Sequence, residues 1–109
     1  NGSYYMLRDD PVLCFNLGQV EGVDVSRLTL TSLTVYGQTY GSSIVVRIYD
    51  QQARTWDTIN SPGLPMTLSE ENLSRYMDGE GNVFLRVSQQ GGRDGELDTP
   101  ALAFEGKVN

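Results

Sequence analysis

Short runs in which apolar and polar residues alternate recur along this chain, and turn-forming residues separate them. Successive side chains of a β-strand point to opposite faces, so this alternation is typical of strands that bury one face. Many short strands separated by turns favour a sandwich or a barrel over helices packed on a parallel sheet. The strands predicted in this way span residues 4–7, 12–17, 27–36, 43–49, 55–59, 83–88 and 100–108.

The alternation changes phase once, within the third predicted strand. Leu28 and Leu30 have one parity, whereas Leu33 and Val35 have the other. One extra residue near residues 31–32, forming a β-bulge, would return all four side chains to the same inward face.

The segments between the strands have sequences typical of turns and loops. Residues 50–54 are predicted to join two strands as a hairpin, and residues 78–82 to form a second turn. Ser69 is a favourable N-cap and two carboxylates follow it, so residues 69–74 are predicted to form the one short helical turn. The glycine-rich residues 89–96 are predicted to be a loop.

These patterns predict an all-β protein, an antiparallel two-sheet β-sandwich of about eight strands. The 109 residues suffice for one core, so residues 1–109 are predicted to be a single domain. The longest apolar run, residues 44–46, is far shorter than the roughly 20 residues needed to cross a bilayer, and no membrane insertion is expected. The start has neither an initiator methionine nor a signal peptide, which suggests a domain excised from a larger extracellular protein.

The composition excludes several kinds of chemistry. Without histidine, the chain cannot form a Ser-His-Asp triad, a Cys-His dyad or a histidine-ligated metal site. Cys14 is the only cysteine, so no internal disulfide can form. A net charge of −6 with Lys107 as the only lysine argues against nucleic acid as a partner, because phosphate binding depends on clustered cations. We therefore predict that the protein is not an enzyme, has no catalytic residues and requires no cofactor.

Aromatic and arginine residues on two predicted strands are the main candidates for a binding site. Tyr49 has the parity of Arg47, and Phe84 has the parity of Arg86, whereas most of the aliphatic residues of both strands point the other way. If the two strands lie in one sheet, these residues would form a surface suited to a sugar or a peptide, and Trp56 is a further candidate. The alternative is ordinary cross-strand packing, with the arginine stems covering the rings and Trp56 in the core.

Aspartates near the two ends of the chain are candidate ligands for a structural calcium ion. Asp9 and Asp10 lie in an early turn, and Asp98 precedes the last predicted strand. Calcium prefers oxygen ligands from loops, and the first and last strands of a sandwich often lie close together. The alternative is that these aspartates stabilise their own turns. Residues 78–82 resemble a calcium loop only superficially, because they lack the length and the terminal glutamate of an EF-hand.

Three longer segments share a further pattern: the hairpin VRIYD and TWDTI within residues 46–59, RYMDGEGNVFLRV at 75–87, and LDTPALAFEG at 97–106. Together they resemble jelly-roll modules similar to the carbohydrate-binding modules of bacterial secreted and cell-surface proteins. The resemblance covers about half the chain in the family's order. It implies a galactose-binding-like jelly roll of eight antiparallel strands, frequent structural calcium and neighbouring domains in a parent chain. The closing segment departs from the family at Thr99-Pro100, where an extended aliphatic strand is usual.

Two hypotheses of function follow. In the first, the chain is a noncatalytic accessory module of an extracellular or cell-surface protein and binds carbohydrate through Tyr49, Phe84 and their arginines, or through the loop aromatics Tyr36, Tyr40 and Trp56. It predicts at least two rings exposed in one plane. In the second, the chain is a structural or interaction domain, such as a spacer, an adhesin segment or a pilus-associated module, that acts through protein contacts. It predicts buried rings and an edge strand or apolar patch available for docking.

Overall fold

The computed structural model describes residues 4–59 and 63–109. Within these residues the backbone forms six hydrogen-bonded strands: β1 (Tyr4–Met6), β2 (Val12–Asn16), β3 (Leu28–Asp50), β4 (Thr55–Ile59), β5 (Met66–Leu68) and β6 (Asn82–Val108). The helical elements of the described part are 3-10 turns at Leu7–Asp9, Leu17–Gln19, Val25–Arg27 and Leu73–Tyr76. No helix among these residues has the length and apolar character needed to cross a membrane.

The two long strands, β3 and β6, pair along most of their length and take part in two sheets. Their antiparallel ladder runs from Leu28 opposite Val108 to Ile48 opposite Leu85. Three register shifts interrupt it between residues 36 and 44 of β3. Gly41 lies there with a φ of 82°, a backbone conformation that favours glycine. Counted on each side of this irregular region, β3 and β6 supply two strands each. The described residues therefore form eight strands in two four-stranded antiparallel sheets.

The two sheets enclose the core of a β-sandwich. Sheet I contains β5, residues 28–40 of β3, residues 96–108 of β6, and β1. Sheet II contains β4, residues 44–50 of β3, residues 82–89 of β6, and β2. The largest side chains that are almost completely buried are Leu7, Leu33, Val46, Ile48, Leu73, Val83, Leu85, Val87 and Leu97. The two-sheet sandwich predicted from the alternation is therefore confirmed.

The predicted bulge in the third segment is also confirmed. The register of β3 against β6 changes between Leu30 and Ser32. As a result, Leu28, Leu30, Leu33 and Val35 are all buried, because the extra residue returns the second pair to the inner face.

Two predicted boundaries are wrong because the chain stays in the ladder for longer than the alternation indicates. Residues 89–96, predicted to be a loop, continue β6, and Gly92 is opposite Ser42 of β3. Residues 37–42 likewise join two predicted strands into β3. The short strand β5 was not predicted; it pairs with residues 33–35 of β3.

The helical turn lies later in the chain than predicted. It spans Leu73–Tyr76 with Asn72 as its N-cap, rather than residues 69–74 with Ser69 as N-cap. Leu73 and Tyr76 are both buried, and residues three apart lie on one side of a 3-10 turn. Burial of these two side chains therefore outweighs the capping preference of Ser69. The three other 3-10 turns of the described residues were not predicted.

Candidate functional site

The five residues predicted to bind a ligand lie together on the outer face of sheet II. β3 and β6 are adjacent in this sheet, and Arg47 is directly opposite Arg86. On the other side of β3, Tyr49 is opposite Trp56 of β4. Phe84 comes two residues before Arg86 in β6 and therefore has the same outward direction. We refer to Arg47, Tyr49, Trp56, Phe84 and Arg86 as the aromatic-arginine face.

The rings of this face are half-buried, and those of Tyr49 and Trp56 are inclined to one another. The ring centroids of Tyr49 and Trp56 are 5.2 Å apart and their planes meet at 64°, an edge-to-face arrangement that aromatic pairs favour. The expectation of two rings in one plane is therefore wrong for this pair. A ligand on this face would contact one ring face and one ring edge rather than a flat platform.

The two arginines bring positive charge to one face of an acidic protein. Nη2 of Arg86 lies 3.8 Å from Oδ2 of Asp10, and Nε of Arg86 is buried without a hydrogen-bond partner. Within residues 4–59 and 63–109, Arg47 forms no ion pair. A guanidinium group donates hydrogen bonds in a fixed planar arrangement that suits carboxylates. The face therefore has guanidinium N–H groups that donate no hydrogen bond to the described residues and could donate to a ligand.

A polar network beside this face stabilises the turn between β3 and β4. The Asp50 carboxylate accepts hydrogen bonds from the backbone N–H groups of Gln52 and Ala53, each at 2.9 Å, and from Nε of Arg75 at 3.2 Å. These bonds, that of Ala53 above all, hold the pKa of the Asp50 carboxyl below its usual value. The network thereby connects the hairpin turn to the 3-10 turn that carries Arg75.

Tyr76 extends this network to β4. Its hydroxyl donates to Oδ2 of Asp57 at 2.9 Å and accepts from Nη2 of Arg75 at 2.6 Å. The guanidinium carbon of Arg75 lies 4.2 Å from the centroid of the Tyr76 ring. Burial, together with the hydrogen bond to Asp57, raises the pKa of Tyr76 to about 12. No local sequence pattern predicts this network, because Asp50 and Asp57 are far along the chain from Arg75 and Tyr76.

The three aspartates predicted to bind calcium are not gathered into one cluster. Asp98 lies opposite Tyr4 of β1 and Gln38 of β3, whereas Asp9 and Asp10 follow the other end of β1. The part of the chain that the structure describes contains no group of three or more His, Cys, Asp or Glu residues able to hold a metal ion. The geometry therefore gives the calcium prediction no support.

The Asp78 side chain accepts hydrogen bonds within its own turn. Its Oδ1 accepts hydrogen bonds from the backbone N–H groups of Glu80 and Asn82, each at 2.9 Å, and its Oδ2 accepts one from Nδ2 of Asn82 at 3.1 Å. Burial by itself would raise the pKa of Asp78, but the hydrogen bonds from Asn82 and Glu80 outweigh burial and lower it. This carboxylate stabilises the predicted turn at residues 78–82.

A second aromatic surface lies on the outer face of sheet I. Tyr36 and Tyr40, which were expected in loops, alternate with Gln38 along β3 and are 46% and 52% exposed. The Tyr40 hydroxyl donates to Oε1 of Gln38 at 2.6 Å. Tyr4, which is 64% exposed, lies opposite Asp98 in the neighbouring part of the sheet. The period of two from Tyr36 to Tyr40 was the sequence signal for a strand here. We refer to Tyr4, Tyr36 and Tyr40 as the tyrosine surface.

Comparisons with known proteins identify a family and leave the function open. No curated protein and no solved structure matches the chain. The model of a family described as a domain of unknown function, DUF8815, matches residues 1–106. The chain therefore belongs to the DUF8815 family.

Proposed function

We propose that this domain is a noncatalytic accessory module of an extracellular protein and that it binds carbohydrate on the aromatic-arginine face. The observation that carries this proposal is the juxtaposition of Tyr49 with Trp56 and of Arg47 with Arg86 on one outer sheet face. Ligand sites typically combine apolar and aromatic surface with a few polar groups that orient the ligand. A sugar fits this combination, because it has apolar C–H faces and a rim of hydroxyl groups.

The charge of the face favours sugars that carry a carboxylate or a sulfate. Arg47 and Arg86 are adjacent, and the one carboxylate paired with them among the described residues is that of Asp10, at 3.8 Å. The net charge of −6 repels anions at long range. Salt screens this repulsion over about 8 Å at physiological ionic strength, so the local arginines dominate once a ligand reaches the face.

Binding to an array of neutral and acidic oligosaccharides tests the proposal. Tyr49→Ala removes a ring, and Arg47→Gln removes a charge while keeping much of the aliphatic stem. Arg47→Gln should weaken binding to an acidic sugar by about tenfold or more, since hydrogen bonds to charged groups contribute about 1.5 to 3 kcal/mol. Tyr49→Ala should also weaken binding, because the sugar loses the aromatic surface that its C–H face contacts. Thermal unfolding of each variant establishes that it still folds.

Tyr40→Ala is the matched control, because it removes an exposed tyrosine from the opposite sheet. It should leave the affinity unchanged. A loss of binding in Tyr40→Ala alone would place the sugar on the tyrosine surface. If the unaltered protein retains none of the oligosaccharides, the proposal is wrong.

A further inference from the structure

The C-terminal half of β6 has one uncovered edge. Residues 101–108 pair with β3 on one side, whereas on the other side β1 pairs only with residues 96–98. Within the described ranges, no strand pairs with that edge beyond Asp98. Such an edge presents unpaired N–H and C=O groups and can accept another strand.

The hydrogen bonds to β3 determine which peptide groups face this edge. The N–H group of Asn109 donates to the carbonyl oxygen of Arg27 at 2.9 Å, so the backbone groups at Asn109 face β3. Backbone polar groups alternate in direction along an antiparallel strand. Those of Val108, Gly106 and Phe104 therefore face away from β3 and are directed to the open edge.

The sequence of the edge is complementary to itself in the antiparallel direction. Residues 104–108 read Phe-Glu-Gly-Lys-Val. When two copies are placed antiparallel with Gly106 on a two-fold axis, Glu105 of each copy faces Lys107 of the other, and Phe104 faces Val108. We propose that this edge pairs with the same edge of a second copy of the chain, forming a symmetric dimer.

The two kinds of contact fall on opposite faces of the joined sheet. Phe104 and Val108 lie opposite buried residues of β3 and are on its inner side, whereas Glu105 and Lys107 are exposed on its outer side. Cross-strand pairs of unlike charge stabilise a sheet, as do pairs of apolar side chains. The register that places Glu105 opposite Lys107 therefore also places Phe104 opposite Val108.

An apolar groove continues along the same edge. Its apolar lining comes from Val20, Val23, Leu28, Leu102, Phe104 and Val108. Val20 is 48% exposed and Val108 is 53% exposed. Pairing of the two edges would cover Val108 with Phe104 of the other copy and remove part of this apolar surface from water.

The pairing closes on itself, so it yields a dimer rather than a chain of copies. The contact is small, which implies a weak dimer that depends on protein concentration. The net charge of −6 on each copy opposes association at low salt, and about 0.15 M salt screens most of that repulsion. This inference is independent of sugar binding, since the aromatic-arginine face belongs to the other sheet.

Sedimentation analysis of the 109-residue chain from about 1 μM to about 1 mM tests the inference in about 0.15 M salt. The unaltered protein should change from monomer to dimer over this range. In the symmetric dimer, residue 105 of each copy faces residue 107 of the other. Lys107→Glu and Glu105→Lys therefore each create two pairs of like charges. Each should raise the dissociation constant on the order of tenfold. The double variant should restore the dimer, because the exchanged charges again face opposite charges.

Arg54→Glu is the control for net charge. It changes the charge as Lys107→Glu does, but at an exposed residue of the turn between β3 and β4. It should leave the dissociation constant unchanged. Amide hydrogen exchange adds a readout of the geometry, because the Gly106 and Val108 amides should exchange more slowly as the concentration rises. A monomer at every concentration would overturn the inference, as would a dimer that the single reversals do not weaken or that the double variant does not restore.

Discussion

Tyr76 should make the stability of this protein depend on pH in the alkaline range. Burial and the hydrogen bond to Asp57 raise the pKa of Tyr76 to about 12, from an ordinary value of 10.0. The fold therefore favours the protonated phenol. Its contribution to the free energy of unfolding is complete below pH 10 and is lost as the pH rises through the folded pKa of about 12.

The size of the effect follows from the two pKa values. A difference of about 2 corresponds to about 3 kcal/mol in the free energy of unfolding. Tyr76 is 4% exposed, so solvent screening removes little of this. At about pH 8, Tyr76→Phe should cost about 1 to 2 kcal/mol, because Asp57 loses a hydrogen-bond donor and Arg75 loses an acceptor. As the pH rises, this cost should shrink and change sign between about pH 11 and pH 12, because there the Tyr76 phenol ionises in the unfolded chain but stays largely protonated in the fold, and Tyr76→Phe has no such phenol.

Urea unfolding from about pH 8 to about pH 11.5 measures these differences, with Trp56, the only tryptophan, as the fluorescent probe. Tyr36→Phe is the matched control, since it removes the hydroxyl of a tyrosine that is 46% exposed. It should lose stability with pH in parallel with the unaltered protein. Equal pH dependence in the unaltered protein and in Tyr76→Phe would refute the reasoning.

Two further predictions concern the turn before β6. Gly81 has a φ of 90°, and a Cβ atom there would lie 2.7 Å from Cγ1 of Val25, so Gly81→Ala should lower the free energy of unfolding by more than about 1 kcal/mol. Gly79→Ala, which meets nothing within 4 Å, should change it by less than about 0.5 kcal/mol in the same urea titration; equal losses would contradict the steric argument. Asp78→Ala should cost about 1 to 2 kcal/mol at pH 7, because the hydrogen bonds from Glu80 and Asn82 are lost. The fold lowers the pKa of Asp78 from 3.8, so its contribution is present above pH 3.8 and is lost as the pH falls below that value; a cost that persists in acid would disagree with this assignment.

The alternation of side chains along the sequence was enough to predict the sandwich and much of the candidate face. The phase change after Leu30 predicted a bulge, and the register shift between Leu30 and Ser32 confirms it. The parity of Arg47 and Tyr49 likewise predicted a shared outward direction. These predictions succeed because a strand has a period of two, so local sequence alone determines which side chains share a face.

Only the tertiary structure decided which strands are neighbours and which residues meet across them. Arg47 lies opposite Arg86, and Arg75 donates a hydrogen bond to Asp50, although the residues of each pair are far apart in the chain. The uncovered edge at residues 101–108 is likewise a property of the sheet order. A side-chain pattern specifies an inner and an outer face, but it contains no information on the partner of each strand edge. That partner is set by burial of the common core and by the path that the chain takes around it.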